Sequence, residues 1–202
     1  MIKVSLTDFS EFVLKAGAKK QTKVKQIVNR KDYDPRFDFW KKIRERIIDL
    51  HKSDKPAKDL QGIITELTDD KKKKAYPSIV AGYLKFIGRK KPTWFAPPKS
   101  EWHHKDLAIR VNPEVGLEFN GKKHVIKLHM NQSPVTKNEA DIILTLMQDE
   151  LDNKCEGAIF CLLDVKSNKL YRSDKIKTNL LPVLQGEASS FASIWKTFSK
   201  AA

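Results

Sequence analysis

Residues 111–130, VNPEVGLEFNGKKHVIKLHM, decide the fold. Apolar and polar residues alternate on both sides of Asn120-Gly121, and an Asn-Gly pair between alternating runs signals a hairpin because both residues tolerate positive φ. Side chains two apart on a strand point the same way, and paired residues share a face. A two-residue loop at Asn120-Gly121 and a four-residue loop over 120–123 both pair Phe119 with an even-numbered residue, so they sort the side chains identically. Val115, Leu117, Phe119, Ile126 and Leu128 form one face, fit for a core, while Glu114, Glu118, Lys127 and His129 share the other. An odd loop would oppose Leu117 to polar positions.

Downstream the period changes. Thr136 and Glu139 form a capping box ahead of Ala140, Ile143, Leu144, Met147 and Leu151, which predicts an amphipathic helix over about 137–152. Gly157–Val165, GAIFCLLDV, is nearly all apolar and predicts a central strand covered on both faces. Ser167-Asn168 turns it back into 169–172, and Phe191, Ile194, Trp195 and Phe198 mark a final helix.

Upstream, Leu107, Ile109 and Val111 alternate as a first strand. Residues 88–105, GRKKPTWFAPPKSEWHHK, hold three prolines and no apolar periodicity, so they read as an extended connector. Trp94, Phe95 and Trp102 interleave there with Arg89, Lys90, Lys91, Lys99 and Lys105. That pattern can stack bases and track a phosphate backbone, or pin a connector onto an adjoining domain. His103-His104 have no Cys/His partner at zinc spacing, so no metal is assigned to them.

Before residue 89 the signals are helical. Thr7 caps a first helix carrying Phe9, Phe12 and Val13, with Gly17 as its stop. Lys19, Lys20, Lys23 and Lys25 then form a basic helical face or a loop. Asp34-Pro35 reads as an N-cap with proline at the first helical position, and Trp40, Ile43, Ile47 and Leu50 space a stripe over about 35–51. Lys55-Pro56 starts a short helix through Leu60, Ile63, Ile64 and Leu67, and a fourth carries Ile79, Val80, Tyr83, Leu84 and Ile87 to Gly88. Four such helices suit a small bundle. Lys71, Lys72, Lys73 and Lys74 either form a solvated turn before a helix beginning near Pro77, since a helix N-terminus disfavours cations, or make a phosphate-binding cluster. The expected class is α+β: a basic helical region over 1–88, a connector over 89–105, and a mostly antiparallel sheet with packed helices over 106–202.

At 202 residues and 40% hydrophobic content the chain can bury a core without disulfides or structural metal. Cys155 and Cys161 lie in apolar context and read as reduced thiols of a cytoplasmic protein; Asp8 and Glu11 interrupt any signal-like run after Leu6, and no segment has the apolar length of a membrane span. The net charge of +14 is asymmetric: residues 1–100 carry 25 Lys+Arg against 12 Asp+Glu, and residues 101–202 carry 14 against 13. Such asymmetry suits a polyanionic partner, because each neutralised phosphate releases counterions. No serine sits in a nucleophile-elbow context and no glycine-rich loop follows a strand.

The order of helix, three antiparallel-type strands, helix and strand resembles the common core of the PD-(D/E)XK nuclease superfamily, over Leu107 to Lys166. In that family an acid near the second strand and a (D/E)xK triplet on the third coordinate magnesium. The resemblance sets Pro113-Glu114 at the first motif and Val125-Ile126-Lys127 at the triplet, where the lysine matches and the acid is a valine. It implies Mg2+ or Mn2+ at Glu114 and Glu118, with Glu118 displaced opposite Val125 by a four-residue loop, Lys127 steadying the attacking water, and His129 beside them. The alternative is a cross-strand ion pair of Glu114 or Glu118 with Lys127, contributing a few tenths of a kcal/mol. Asp164-Val165-Lys166 also spells DxK, but after the helix.

The leading expectation is a cytoplasmic nucleic-acid-associated protein, for DNA or RNA, with largely sequence-independent phosphate contacts from Lys19, Lys20, Lys23, Lys25, Lys71–Lys74, Arg89, Lys90 and Lys91, and with Trp94 stacking. The alternatives are a metal-dependent nuclease centred on Glu114, Glu118, Lys127 and His129, and an interaction module for an acidic protein.

Overall fold

The structure, a computed structural model, describes residues 1–30, 38–175 and 179–199. The fold is α+β, with two sheets. In the smaller, β1 (Ile2–Ser5) runs parallel to β4 (Leu107–Val111), which pairs antiparallel with β3 (Ser100–His104). The larger contains β2 (Thr93–Phe95), β5 (Val115–Phe119), β6 (Lys122–His129), β7 (Ile159–Asp164) and β8 (Lys169–Arg172) in that order. Its pairs are antiparallel except β6 with β7, which are parallel and therefore need a crossover.

The expected hairpin forms with the two-residue loop. Asn120 and Gly121 have φ of 53° and 69°, and Phe119 pairs with Lys122. The register sets Val125 opposite Gly116 and Glu118 opposite Lys123. The capping box forms as well: Thr136 Oγ1 accepts the Glu139 N–H at 3.2 Å and opens α6 (Lys137–Leu151), the crossover between β6 and β7. Every residue of β7 is buried, as its apolar run requires.

Both faces of the larger sheet are covered. On one side lie Ile43, Ile47 and Leu50 of α3 (Lys41–Lys52), Ile63 of α4 (Gly62–Thr65), and Tyr76, Ile79, Val80 and Tyr83 of α5 (Asp70–Ile87), packed on Val115, Leu117, Ile126 and Leu128. The other side packs Val125, Phe160 and Leu162 with α6, α1 (Leu6–Val13), α2 (Ala18–Val28), α7 (Leu181–Ser199) and the smaller sheet. Phe12 and Phe191 meet edge to face at 4.9 Å, a geometry contributing about 1 kcal/mol beyond area burial. Gly82 is needed at the first interface: a Cβ there would lie 1.9 Å from the Val165 carbonyl oxygen.

Several expectations are corrected. The described helices of residues 1–88 do not form one bundle, because α1 and α2 cover one face of the larger sheet and α3 to α5 the other. The region 1–88 is thus divided between two cores. The 89–105 connector contains β2 and β3, so Trp94 and Phe95 belong to a sheet edge. Ser5, not Thr7, caps α1, its Oγ accepting the Asp8 N–H at 3.0 Å, and Gly17 precedes α2 instead of simply ending α1. The helix expected over 35–51 begins at Lys41; the Asp34-Pro35 cap lies outside the described residues. Asp69 caps α5 through the Lys72 N–H at 3.0 Å, so Lys71–Lys74 are helical and Pro77 lies inside the helix.

Candidate functional site

Where the chain leaves β4 for β5 it passes from one sheet to the other through Asn112, Pro113 and Glu114. This seam holds the hairpin's charged pair. Pro113 has no N–H and ends the backbone ladder, and the Glu114 carboxylate takes over: its Oε2 accepts the Leu128 N–H at 2.8 Å. Its Oε1 accepts from Lys127 Nζ at 2.5 Å, and the same ammonium donates to the Asn112 carbonyl at 3.3 Å. Glu114 and Lys127 side chains are only 12% and 17% exposed, so the pair is a staple across the seam and not a rim contact.

The other two hairpin residues share the pair's face by register but lie apart from it along the strands. Glu118 is exposed near the loop, four residues from Glu114 and therefore roughly 13 Å along the strand. His129 donates from Nε2 to the Ser133 carbonyl at 2.8 Å, holding the loop after β6. The two-residue loop removes the expected opposition of Glu118 to Val125, and Val125 itself is fully buried and offers no oxygen. Hard divalent ions take several oxygen ligands, and here the seam supplies one carboxylate with both oxygens engaged. The residues present do not fit Mg2+ or Mn2+; among the described residues no group of three or more His, Cys, Asp or Glu side chains is placed to hold a metal.

A cleft of about 290 Å³ opens beside the staple, lined by Ser5, Thr7, Arg44, Lys99, Arg110, Asn112, Glu114 and Lys127. Lys99 and Arg110 are exposed and make no side-chain hydrogen bond or ion pair among the described residues. Arg44 pairs with Asp38 at 2.7 Å. With Glu114 neutralised by Lys127, the cleft is an anion-attracting concavity. The chain matches no protein-family model, no curated protein and no solved structure. The cleft's chemistry therefore rests on its own residues.

The expected binding residues do not form one surface. In α2, Lys20 bonds Glu187 of α7 at 2.5 Å, and Lys23 bonds Asp8 at 3.1 Å and Glu11 at 2.6 Å, while Lys19 and Lys25 remain exposed. Burial opposes ionisation of Asp8, but hydrogen bonds from Arg30 and Ser5 and the charges of Lys23 and Arg30 outweigh it and lower its pKa to about 2. Lys71–Lys74 open α5, whereas Arg89, Lys90 and Lys91 follow its end, about 27 Å away at 1.5 Å per residue. Lys73 pairs with Asp70; Lys90 caps the Phe86 carbonyl and lies 4.8 Å from the Phe86 ring centre. Trp94 is half-buried against the α3–α5 core, with Lys52 Nζ 5.9 Å from its ring centre.

Sequence reasoning missed Arg44, Lys99 and Arg110 as a group because they come from a helix, a loop and a strand that only the seam brings together. The single local signal was Asn112-Pro113, a break directly after an alternating strand. No described helix is long and apolar enough to cross a membrane.

Proposed function

We propose that this protein binds nucleic acid through its phosphates at the seam cleft, and does not cleave it. The observation that carries the reading is the cleft itself: Lys99 and Arg110 have no ion-pair partner among the described residues, and the carboxylate beside them is already neutralised. Phosphate contacts from such cations release counterions and carry no base information, so the binding is strong at low salt and largely sequence-independent.

The nuclease resemblance fits the same reading in a non-catalytic form. What supports it is the run of antiparallel β5 and β6, the α6 crossover and parallel β7, with Glu114 before β5 and Lys127 on β6; against it, β4, the first strand of the resemblance, lies in the smaller sheet. In place of the triplet's acid stands buried Val125, and Lys127 neutralises Glu114 instead of steadying a nucleophile.

Fluorescence anisotropy of a labelled duplex and a labelled single strand, at low and high salt, tests the proposal. Binding that weakens steeply with salt, with the strand recovered intact after incubation with Mg2+, is the expected result. No binding at low salt removes it and favours an acidic protein partner. Metal-dependent cleavage that Lys127→Ala abolishes would restore the enzymatic alternative.

A further inference from the structure

A second cleft, of about 550 Å³, lies between the start of α3, the first turn of α5 and the loop after β6. Its lining is Phe39, Trp40, Lys71, Lys74, Ala75, Asn131 and Gln132. The aromatic wall is braced from behind. Trp40 stacks on Tyr76 with rings 5.7 Å apart and 18° from parallel; Phe39 meets Trp40 edge to face at 4.7 Å; and Tyr76 donates its hydroxyl to the Phe39 carbonyl at 2.7 Å. Phe39 and Trp40, perpendicular to each other, are thus each held half-exposed, and a third ring could lie flat on one of them.

The polar groups around that wall match a nucleotide. Lys71 and Lys74 are exposed, one turn apart on α5, and neither has a side-chain hydrogen bond or ion pair among the described residues. Their neighbours differ: Lys73 is tied to Asp70, and Lys72 Nζ sits 5.9 Å from the Phe39 ring centre. Gln132 accepts from Lys166 at 3.0 Å through Oε1, which leaves its amide hydrogens available, and the exposed Asn131 amide adjoins it. Amide donors and acceptors of this kind read base edges, whereas lysines serve phosphates.

We infer that the cleft of Phe39, Trp40, Lys71 and Lys74 accepts one unpaired nucleobase of a single strand, with the two lysines on its flanking phosphates. The inference rests on the phosphate-binding reading above and adds strand type to it. A base paired in a duplex has no face free to lie on Trp40, so the site selects single strands. The position agrees with that role: Trp40 and Arg44 are one turn apart on the same helix, and Asn131 and Gln132 follow Lys127 by four and five residues on the chain leaving β6. One strand can run from the seam cleft to the aromatic one.

The test compares a labelled oligothymidylate with a strand of equal length in which the bases are replaced by abasic sites, so that charge is constant and only stacking differs. Wild type should bind the oligothymidylate about tenfold more tightly, within the range that one stacked base contributes. Trp40→Leu, which keeps an apolar side chain against Tyr76 and whose fold is checked by thermal unfolding, should bind both strands equally. Lys71→Gln/Lys74→Gln should weaken both strands by a similar factor and keep the tenfold ratio. Equal binding of the two strands by wild type overturns the inference while leaving the phosphate reading standing. So does a folded Trp40→Leu that keeps the preference, or a lysine double variant with unchanged affinity. Failure to bind either strand at low salt removes both readings together.

Discussion

Two lysine-rich stretches, Lys19–Lys25 of α2 and Lys71–Lys74 of α5, look alike in sequence and differ in what their charges do. In α2, Lys20 and Lys23 are engaged by Glu187, Asp8 and Glu11, and the Lys23 side chain is only 11% exposed. In α5, Lys71 and Lys74 face a cleft and hold no side-chain ion pair among the described residues, the exposed Asp69 acting on the Lys71 side chain only through its charge nearby. The difference arises from the neighbours. α2 packs on α1 and α7, which present acids at the contact, while the first turn of α5 shares a cleft with Asn131 and Gln132 of the loop after β6. A lysine close to a well-placed carboxylate is part of the fold; one without it is available to a partner. Net charge per segment does not distinguish the two.

The comparison yields graded stability predictions. Lys23→Met removes the ammonium shared by Asp8 and the partly exposed Glu11 while Asp8 keeps Arg30 and Ser5, and should cost about 2 kcal/mol in urea unfolding. A cost below about 0.5 kcal/mol, the scale of an exposed pair, would mean that the α2 lysines are as idle as surface charges.

Acid should show the same network from its anionic side. The folded-state pKa of Asp8 is depressed to about 2, so its stabilisation is present at neutral pH and is lost as pH falls from about 4 through 2, amounting to about 2 kcal/mol. Asp8→Asn should remove that segment of the stability profile. A separate loss at higher pH serves as an internal control: burial lowers His51 to about 4, so the folded state resists its protonation and stability falls as pH drops from about 6.5 toward 4. His51→Gln should flatten that window and leave the lower one. Coinciding windows in the two variants would contradict the assignment.

At the seam, Lys127→Ala strips Glu114 of its ammonium but leaves the Leu128 N–H, and should cost about 1 kcal/mol by thermal or urea unfolding. Smallest of all, Lys71→Gln/Lys74→Gln should change stability by no more than about 0.5 kcal/mol, since neither side chain holds an ion pair among the described residues. A large destabilisation there would show that these lysines also belong to the fold.

How much of this was legible follows the range of each signal. The hairpin, the Thr136 cap and the buried β7 were readable because Asn120-Gly121, Thr136 with Glu139, and GAIFCLLDV carry their causes within a few residues. Weighing four lysines against the helix dipole misplaces the start of α5. The Asp69 cap and the apolar stripe through Ile79 and Tyr83 outweigh that penalty, since a cap is worth about 1 kcal/mol and surface dipole effects are similar or smaller. β1 escapes a sequence reading because four residues, IKVS, form a strand only beside Leu107–Arg110. The hairpin's second face looks in sequence like an open polar surface; Glu114 and Lys127 do share it, but Gly116 and Val125 at its middle are buried, Val125 within the other core. Lys20 meets a partner 167 residues away, which no local pattern reveals.

The central claim is that placement, not the total, decides which cations bind. It is tested most directly by two double variants that each remove two positive charges: Lys99→Gln/Arg110→Gln at the seam cleft and Lys20→Gln/Lys23→Gln in α2, both confirmed folded. The measurement is the slope of log affinity for a duplex against log salt concentration. The seam variant should lower the slope by about 2, near 0.9 for each phosphate no longer neutralised, and the α2 variant should leave it at the wild-type value. Equal reductions in the two variants would contradict the account.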